Sequence, residues 1–154
     1  MLINRAILTY QNQMSIQLKR ARDHNIKELL KWKNDPVMRQ FSIETQKEIE
    51  MEDHIKWFRR NKQNIYIIYD DIDYGDVRFD GDEVAIKVDP RFRGMGIGKK
   101  ALELAKEMRD MMIAKIVDGN VASMRLFLSV GFKIIDHETE NEIGYYILKY
   151  EVHK

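Results

Sequence analysis

Asp89-Pro90-Arg91-Phe92-Arg93-Gly94-Met95-Gly96-Ile97-Gly98-Lys99-Lys100 is the stretch whose reading decides the fold. A strand-like run, Glu83-Val84-Ala85-Ile86-Lys87-Val88, leads into it, and a helix-like run from Ala101 to Met112 leaves it. Three glycines at two-residue spacing let backbone approach a bulky anion without interference from Cβ atoms. The start of the following helix adds unpaired N–H groups and the positive end of a dipole. Two arginines before the glycines and two lysines after them complete a phosphate cradle.

Spacing separates this loop from two other phosphate motifs. A P-loop places four residues between its first glycine and Gly-Lys, followed by Ser or Thr. Here three residues separate Gly94 from Gly98, and Lys99 is followed by Lys100, so the hydroxyl that would hold magnesium is missing. A dinucleotide fingerprint requires Gly-x-Gly-x-x-Gly directly after a strand. Gly94-x-Gly96-x-Gly98 misses that pattern by one residue.

Working outward, Ser15 to Ala21 alternates as a first strand, with residues 1–13 an appendage and 14–154 one domain. Asp23 caps a helix with Ile26, Leu29, Leu30 and Trp32, and Pro36 stops it. Val37 to Thr45 reads as a loop, and a second helix spans Lys47 to Arg60 with Phe58 on its inner face. Ile65-Tyr69, Tyr74-Phe79 and Glu83-Val88 read as strands, the last two joined by the Asp80-Gly81-Asp82 turn. After the glycine loop come a helix to Met112 and a short strand, Ile113 to Val117. A further helix is capped by Asp118 or Asn120, has Ala122, Leu126, Phe127 and Val130 inside, and is ended by Gly131. Lys133-His137 and Ile143-Glu151 close the chain as strands around the polar turn Glu138-Thr139-Glu140-Asn141. The order βααβββαβαββ is α/β around one mixed sheet.

Composition narrows the function classes. The chain has 154 residues, 44% hydrophobic and 33% charged, enough for one domain with a real core. Lys plus Arg number 26 against 25 Asp plus Glu, a net charge of +1, which argues against a general nucleic-acid binder. Cysteine is absent, so thiolate nucleophiles, disulfides and Cys-zinc sites are excluded. The Asp70-Asp71-x-Asp73 and Asp80-x-Asp82 acids lack the glycine and terminal glutamate of a calcium loop, and the four histidines have no paired metal spacing. No metal, no membrane partner and a cytoplasmic location are the expectations.

Arg91-x-x-Gly94-x-Gly96, extended to Arg93-Gly-x-Gly-Ile-Gly98, resembles the acyl-CoA loop of the GNAT (GCN5-related N-acetyltransferase) superfamily. A second block, Asn120-x-x-Ser123-x-x-Leu126-Phe127-x-x-x-Gly131-Phe132, resembles a segment that many members carry at this distance. The resemblance covers about Ser15 to Val152. It implies an α/β GNAT fold: a mixed, mostly antiparallel sheet of six to seven strands with about four helices, splayed between strands four and five. It also implies acetyl-CoA as co-substrate. Backbone N–H groups of Arg93, Gly94, Met95, Gly96, Ile97, Gly98 and Lys99 would bind the pyrophosphate. Ile86 and Val88 would pair with the pantetheine amides, and Asn120, Ser123 and Phe127 would flank the cofactor.

A third block, Trp32-Lys33-Asn34-Asp35-Pro36 with Arg39 and Ser42, then His54-x-x-Trp57-Phe58, resembles members that acetylate the 4-amino group of nucleotide-linked deoxyamino sugars; so does Gly75-x-x-Arg78-Phe79. Similar patterns occur in enzymes acting on protein N-termini, polyamines and aminoglycosides. The implied partner is a small-molecule amine, a nucleotide sugar first, with Trp32, Asn34, Arg39 and Arg78 binding it, in a monomer or homodimer. An alkyl ammonium must lose its proton before it attacks a thioester. Glu83 and His54 are the candidate bases, and a backbone N–H of Lys87 or Val88 would face the developing oxyanion. The tyrosine that usually protonates the thiolate is Phe127 here, which cannot donate; Tyr145 and Tyr146 are possible substitutes, and a non-catalytic acyl-CoA-binding module is the alternative.

Overall fold

A computed structural model describes residues 15–44 and 46–153. The appendage expected over residues 1–13 and the loop position Thr45 lie outside the described residues. One seven-stranded sheet carries the chain: β1 (Gln17–Arg20), β2 (Ile65–Tyr69), β3 (Asp73–Asp80), β4 (Glu83–Val88), β5 (Met111–Val117), β6 (Lys133–Glu140) and β7 (Ile143–Glu151). The strands run β1-β2-β3-β4-β5-β7-β6 across it. Every neighbouring pair is antiparallel except β4 and β5. Five α-helices accompany it among the described residues: α1 (Ile26–Lys33), α2 (Pro36–Gln40), α3 (Met51–Asn61), α4 (Ile97–Met108) and α5 (Val121–Ser129).

Two apolar clusters lie on opposite faces of the sheet. On one, Leu29 and Trp32 of α1 and Phe58 of α3 pack onto Ile65 and Ile67 of β2. On the other, Ile97, Ala101, Leu102 and Ala105 of α4 and Phe127 of α5 pack onto Val77, Phe79, Val84, Met112, Ala114 and Ile116. The period-2 alternation of the strands sorts their side chains between these faces. On β4, Val84 joins the α4/α5 cluster, with Ile86 and Val88 packed against it, so Glu83, Ala85 and Lys87 face the α1/α3 side.

Asn25, at the end of a 3-10 turn that starts at Asp23, is the N-cap of α1 in place of Asp23, β1 is shorter than expected, and β5 starts at Met111. Four further boundaries depart from the sequence reading with a local cause. Pro36 does not merely stop α1: it opens α2 at a position where its missing N–H is harmless, with the Asp35 carboxylate accepting the Met38 N–H. Helix α3 starts at Met51 rather than Lys47, because the Asn34 side chain takes both backbone groups of Ile49, accepting its N–H at 2.7 Å and donating to its carbonyl at 2.9 Å. Helix α4 begins at Ile97, inside the glycine run, and ends at Met108, so that Met112 is a buried residue of β5. The closing hairpin turns at Asn141 and Glu142, both at positive φ, and β6 therefore reaches Glu140 instead of His137. The C-terminus of α5 matches expectation: Gly131 sits at φ 98°, and the Phe132 ring packs edge-on against Phe127.

Candidate acyl-CoA and acceptor site

The parallel pair β4–β5 meets at one register point, Glu83 opposite Ile113, where the Ile113 N–H donates to Asp82 O at 2.8 Å. Beyond that point the two strands part. The β5 side of Val84 to Val88 is left without ladder partners, a free edge on which an extended amide chain can pair. The glycine loop lies at the wide end of this opening. Gly94 and Gly96 adopt φ 75° and 78°, conformations that favour glycine, and Gly96 is the N-cap of α4. No side chain caps that helix, so the N–H groups of its first turn are available to an anion.

Gly98 explains how three elements converge here. A Cβ at this position would lie 3.0 Å from Leu126 Cδ2 on α5 and 3.7 Å from Ile86 Cδ1 on β4. Asn120, not Asp118, caps α5, its Oδ1 accepting the Ser123 N–H at 3.2 Å. Asp118 instead holds His137 across the β6–β7 hairpin at 2.8 Å. Of the inner positions expected on α5, Phe127 and Val130 are buried, whereas Ala122 is exposed. The backbone of residues 93–99, the free edge of β4 and the start of α5 thus surround one opening, and these residues fit a pyrophosphate with a pantetheine arm.

The arginines of the loop have other partners. Arg91 donates through Nε and Nη2 to Asp89, at 3.1 and 3.0 Å. Arg93 donates to Asp35 Oδ2 at 2.8 Å and to the Val88 carbonyl at 3.2 Å. The Asp89 carboxylate also accepts the Trp32 indole N–H at 3.0 Å. The Trp32…Asp35 block therefore ties α1 and α2 to the mouth of the glycine loop. Trp32 is 1% exposed in the core and presents no face to a ligand, which corrects its reading as an acceptor-binding residue. Asn34 is committed to Ile49, and Arg39 donates to the Asn34 carbonyl at 3.1 Å. Trp57, by contrast, is half-buried, with Lys33 and Arg78 over its ring.

On the α1/α3 side of the sheet, beside the opening, lies a charged cluster. Lys33 Nζ sits 2.8 Å above the Trp57 ring centroid and 3.4 Å from His54 Nδ1. His54 is fully buried and donates through Nε2 to the Ile26 carbonyl at 2.8 Å; burial holds its pKa below the ordinary value. It packs beneath Lys33 and does not reach the opening, which weakens it as a base. Burial, helped by Lys87 and Arg78, lowers the Lys33 pKa to about 6. Asp76 is buried on β3, pushed upward by desolvation against the pull of Lys87, whose Nζ lies 3.8 Å away. Glu83 is half-buried and pairs with Lys115 at 3.3 Å on this same face, at the point where β4 and β5 part. Tyr145 donates to Glu138 Oε2 at 3.1 Å, and burial raises its pKa.

Sequence reasoning missed Lys33, Asp76, Lys87 and Lys115. The signal lay in β3: Asp76 and Arg78 occupy alternate positions of a strand whose other face is Val77 and Phe79, where burial of both faces would call for apolar residues. Among the described residues, no group of three or more His, Cys, Asp or Glu side chains could hold a metal ion. None of the helices described is long and apolar enough to cross a membrane.

The opening, the glycine loop and the element order define an acyl-CoA-type α/β fold. The chain belongs to the Acetyltransferase (GNAT) family, whose model matches residues 26–132. An uncharacterized protein of Methanocaldococcus jannaschii is 24% identical over 144 residues, covering 82% of this chain; the chain spans 30% of that protein's length. The fold is similar to that of yncA from Salmonella typhimurium, solved with its cofactor acetyl-CoA: TM-score 0.72, 18% identity, 91% of this chain and 95% of that one. It is also similar to spermidine N-acetyltransferase from Vibrio cholerae, solved with CoA and spermine: TM-score 0.76, 10% identity, 88% and 95% coverage.

Proposed function

We propose that this chain transfers an acetyl group from acetyl-CoA to a primary amine, the first-choice acceptor being the amino group of a nucleotide-linked deoxyamino sugar. The observation that carries the reading is the opening between β4 and β5 beyond Glu83–Ile113, with the uncapped N-terminus of α4 at its wide end. The residues of the loop hold the pyrophosphate through backbone N–H groups. Acetyl-CoA supplies an activated acetyl group; the chain's own part is to align the amine and accept its proton. Glu83 sits on the acceptor face at the apex of the opening, with Lys115 orienting its carboxylate. Of the two candidate donors to the carbonyl oxygen, Lys87 and Val88, the Val88 N–H lies on the edge away from β3, whereas that of Lys87 points into the β3 ladder. Phe127 is buried against Phe132 and offers no proton, so the leaving thiolate departs without help from this position. That same residue favours a second reading, an acyl-CoA-binding module without turnover.

Release of free CoA, measured with a panel of amino-sugar nucleotides, polyamines and peptides, separates the readings. Turnover restricted to the sugar nucleotides supports the first choice, and turnover with spermidine or peptides moves the acceptor. Tight acetyl-CoA binding with no turnover on any amine establishes the binding module instead. Glu83→Gln should cut turnover by about 10²–10⁴-fold while leaving acetyl-CoA affinity unchanged. An equal loss in both, or none, removes Glu83 from the role of base.

A further inference from the structure

The cluster between α1, α3 and strands β3–β4 is out of balance in charge. Lys33, Arg78 and Lys87 gather around a single buried carboxylate, Asp76, with the exposed Glu44 at the rim. Lys87 Nζ takes up Asp76 Oδ1 at 3.8 Å. Arg78 has its guanidinium carbon 5.6 Å from the Trp57 ring centroid, and its buried Nε has no hydrogen-bond partner. Trp57 thus has the Lys33 amine directly over its ring and the Arg78 guanidinium over it at longer range. An arrangement with more cations than anions in a half-buried site is costly unless an anion joins it. The lowered proton affinity of Lys33 fits this: burial and its two cationic neighbours make the protein shed a proton instead.

The location gives the imbalance a use. Arg78 is the register partner of Ala85 on β4, so it lies two residues from both Glu83 and Lys87, about 7 Å along the strand in either direction. An arginine side chain spans such a distance. We infer that the Arg78–Lys87–Lys33 cluster is an oxyanion subsite of the acceptor pocket, so that the amine acetylated by this chain carries a carboxylate or phosphate group. The inference rests on the acetyl-transfer reading and narrows it: a polycation such as a polyamine is disfavoured by the same charges. Asp76 pairs with Lys87 at 3.8 Å, and the Trp57 ring lies beside the Arg78 guanidinium as a flat wall.

The test compares matched acceptors, O-phosphoethanolamine with ethanolamine and β-alanine with β-alaninamide, at equal concentrations of free amine, with spermidine as the polycation. The anionic member of at least one pair should have the lower KM; the phosphate and carboxylate pairs distinguish the two sources of the oxyanion. Arg78→Gln should erase that preference by raising the anionic KM about ten- to hundredfold, the range for loss of a charged hydrogen bond, and the neutral KM by much less. Arg78→Lys should restore part of it. Equal KM values within both pairs, a preference for spermidine, or an equal effect of Arg78→Gln on neutral and anionic acceptors would overturn the inference. Calorimetric titration of O-phosphoethanolamine into the CoA-saturated protein gives a readout that does not depend on turnover. Binding lost in Arg78→Gln upholds the subsite even if acetyl transfer fails, and no binding in the parent protein sinks it.

Discussion

Replacement of Asp89 tests whether the acceptor-side helices are mechanically tied to the glycine loop. The carboxylate is 2% exposed and accepts four hydrogen bonds: from Trp32 Nε1, from the Arg91 N–H that starts the turn, and from Arg91 Nε and Nη2. Asp89→Ala strands the indole N–H of a tryptophan that is 1% exposed, at a cost of about 1–3 kcal/mol. It also removes the side-chain acceptor at the start of a turn, about 1 kcal/mol more. The exposed Arg91 guanidinium adds little. The expected loss is therefore about 2–4 kcal/mol, measured by urea unfolding. Trp32→Phe deletes the donor, so in the double variant part of that cost should vanish, giving a coupling of about 1–2 kcal/mol. The Arg91 side chain, foremost among its donors, holds the Asp89 carboxyl well below the usual carboxylate range. Between the folded and unfolded pKa values the unfolded chain binds more protons, so this stability is present above about pH 4 and is lost as pH falls through the folded value. Asp89→Asn should remove that acid-side slope. A stability for Asp89→Ala within about 0.5 kcal/mol of the parent, or equal acid slopes in parent and Asp89→Asn, would refute the tether.

Three further outcomes follow from the same geometry. Lys33, with its folded pKa lowered to about 6 against an ordinary value of 10.5, binds fewer protons folded than unfolded across that interval. Stability should thus rise with pH between these values, by no more than about 1.4 kcal/mol per pH unit and by less where water reaches the ammonium. Lys33→Met should flatten the profile, and a parent profile with no slope there would refute the assignment. Gly75→Ala would drive a Cβ into the Lys87 carbonyl, with Val88 Cα at 2.9 Å; backbone meets backbone, and a loss of about 3 kcal/mol is expected in urea unfolding. Gly98→Ala meets only the mobile end of Leu126, and the helix-propensity gain of about 1 kcal/mol offsets it, so its unfolding midpoint should stay near the parent's.

The donor half of the molecule was legible because its chemistry is local. Glycines at fixed spacing before a helix, and Asn120 three residues before Ser123, specify backbone geometry within a dozen residues, and the structure shows Gly96 and Asn120 as the N-caps of α4 and α5. What the sequence obscured there was a boundary: Gly98 reads as loop, yet it belongs to the first turn of α4, where it packs close to Leu126 of α5. The edge of α3 was hidden for a related reason. Apolar spacing at Ile49 suggested helix, but the amide of Asn34, fifteen residues away, claims its backbone groups. Likewise the Asn141–Glu142 turn uses glutamate at positive φ, a choice that turn statistics do not anticipate.

The acceptor half resists reading for a deeper reason. The same residue types serve structure and recognition, and only burial decides between them. Trp32, Asn34, Asp35 and Asp89 look like a polar pocket along the sequence, but each is satisfied by another member of the fold: indole to carboxylate, amide to backbone, carboxylate to Arg93. Once those partners are paired off, what remains unbalanced is Arg78 and Lys87 against Asp76, with the Lys33 amine, whose pKa burial lowers to about 6, beside them: three basic residues contributed by α1, β3 and β4 from positions 33 to 87. No window of sequence contains that excess, because the net charge of the chain is only +1 and each cation has acidic neighbours along the chain. The sheet register creates it by setting Asp76 opposite Lys87 and Arg78 opposite Ala85. With Asp76 ionised, Arg78 and Lys87 leave one positive charge in excess even where Lys33 is neutral, and the proposed subsite would select acceptors by sign before shape.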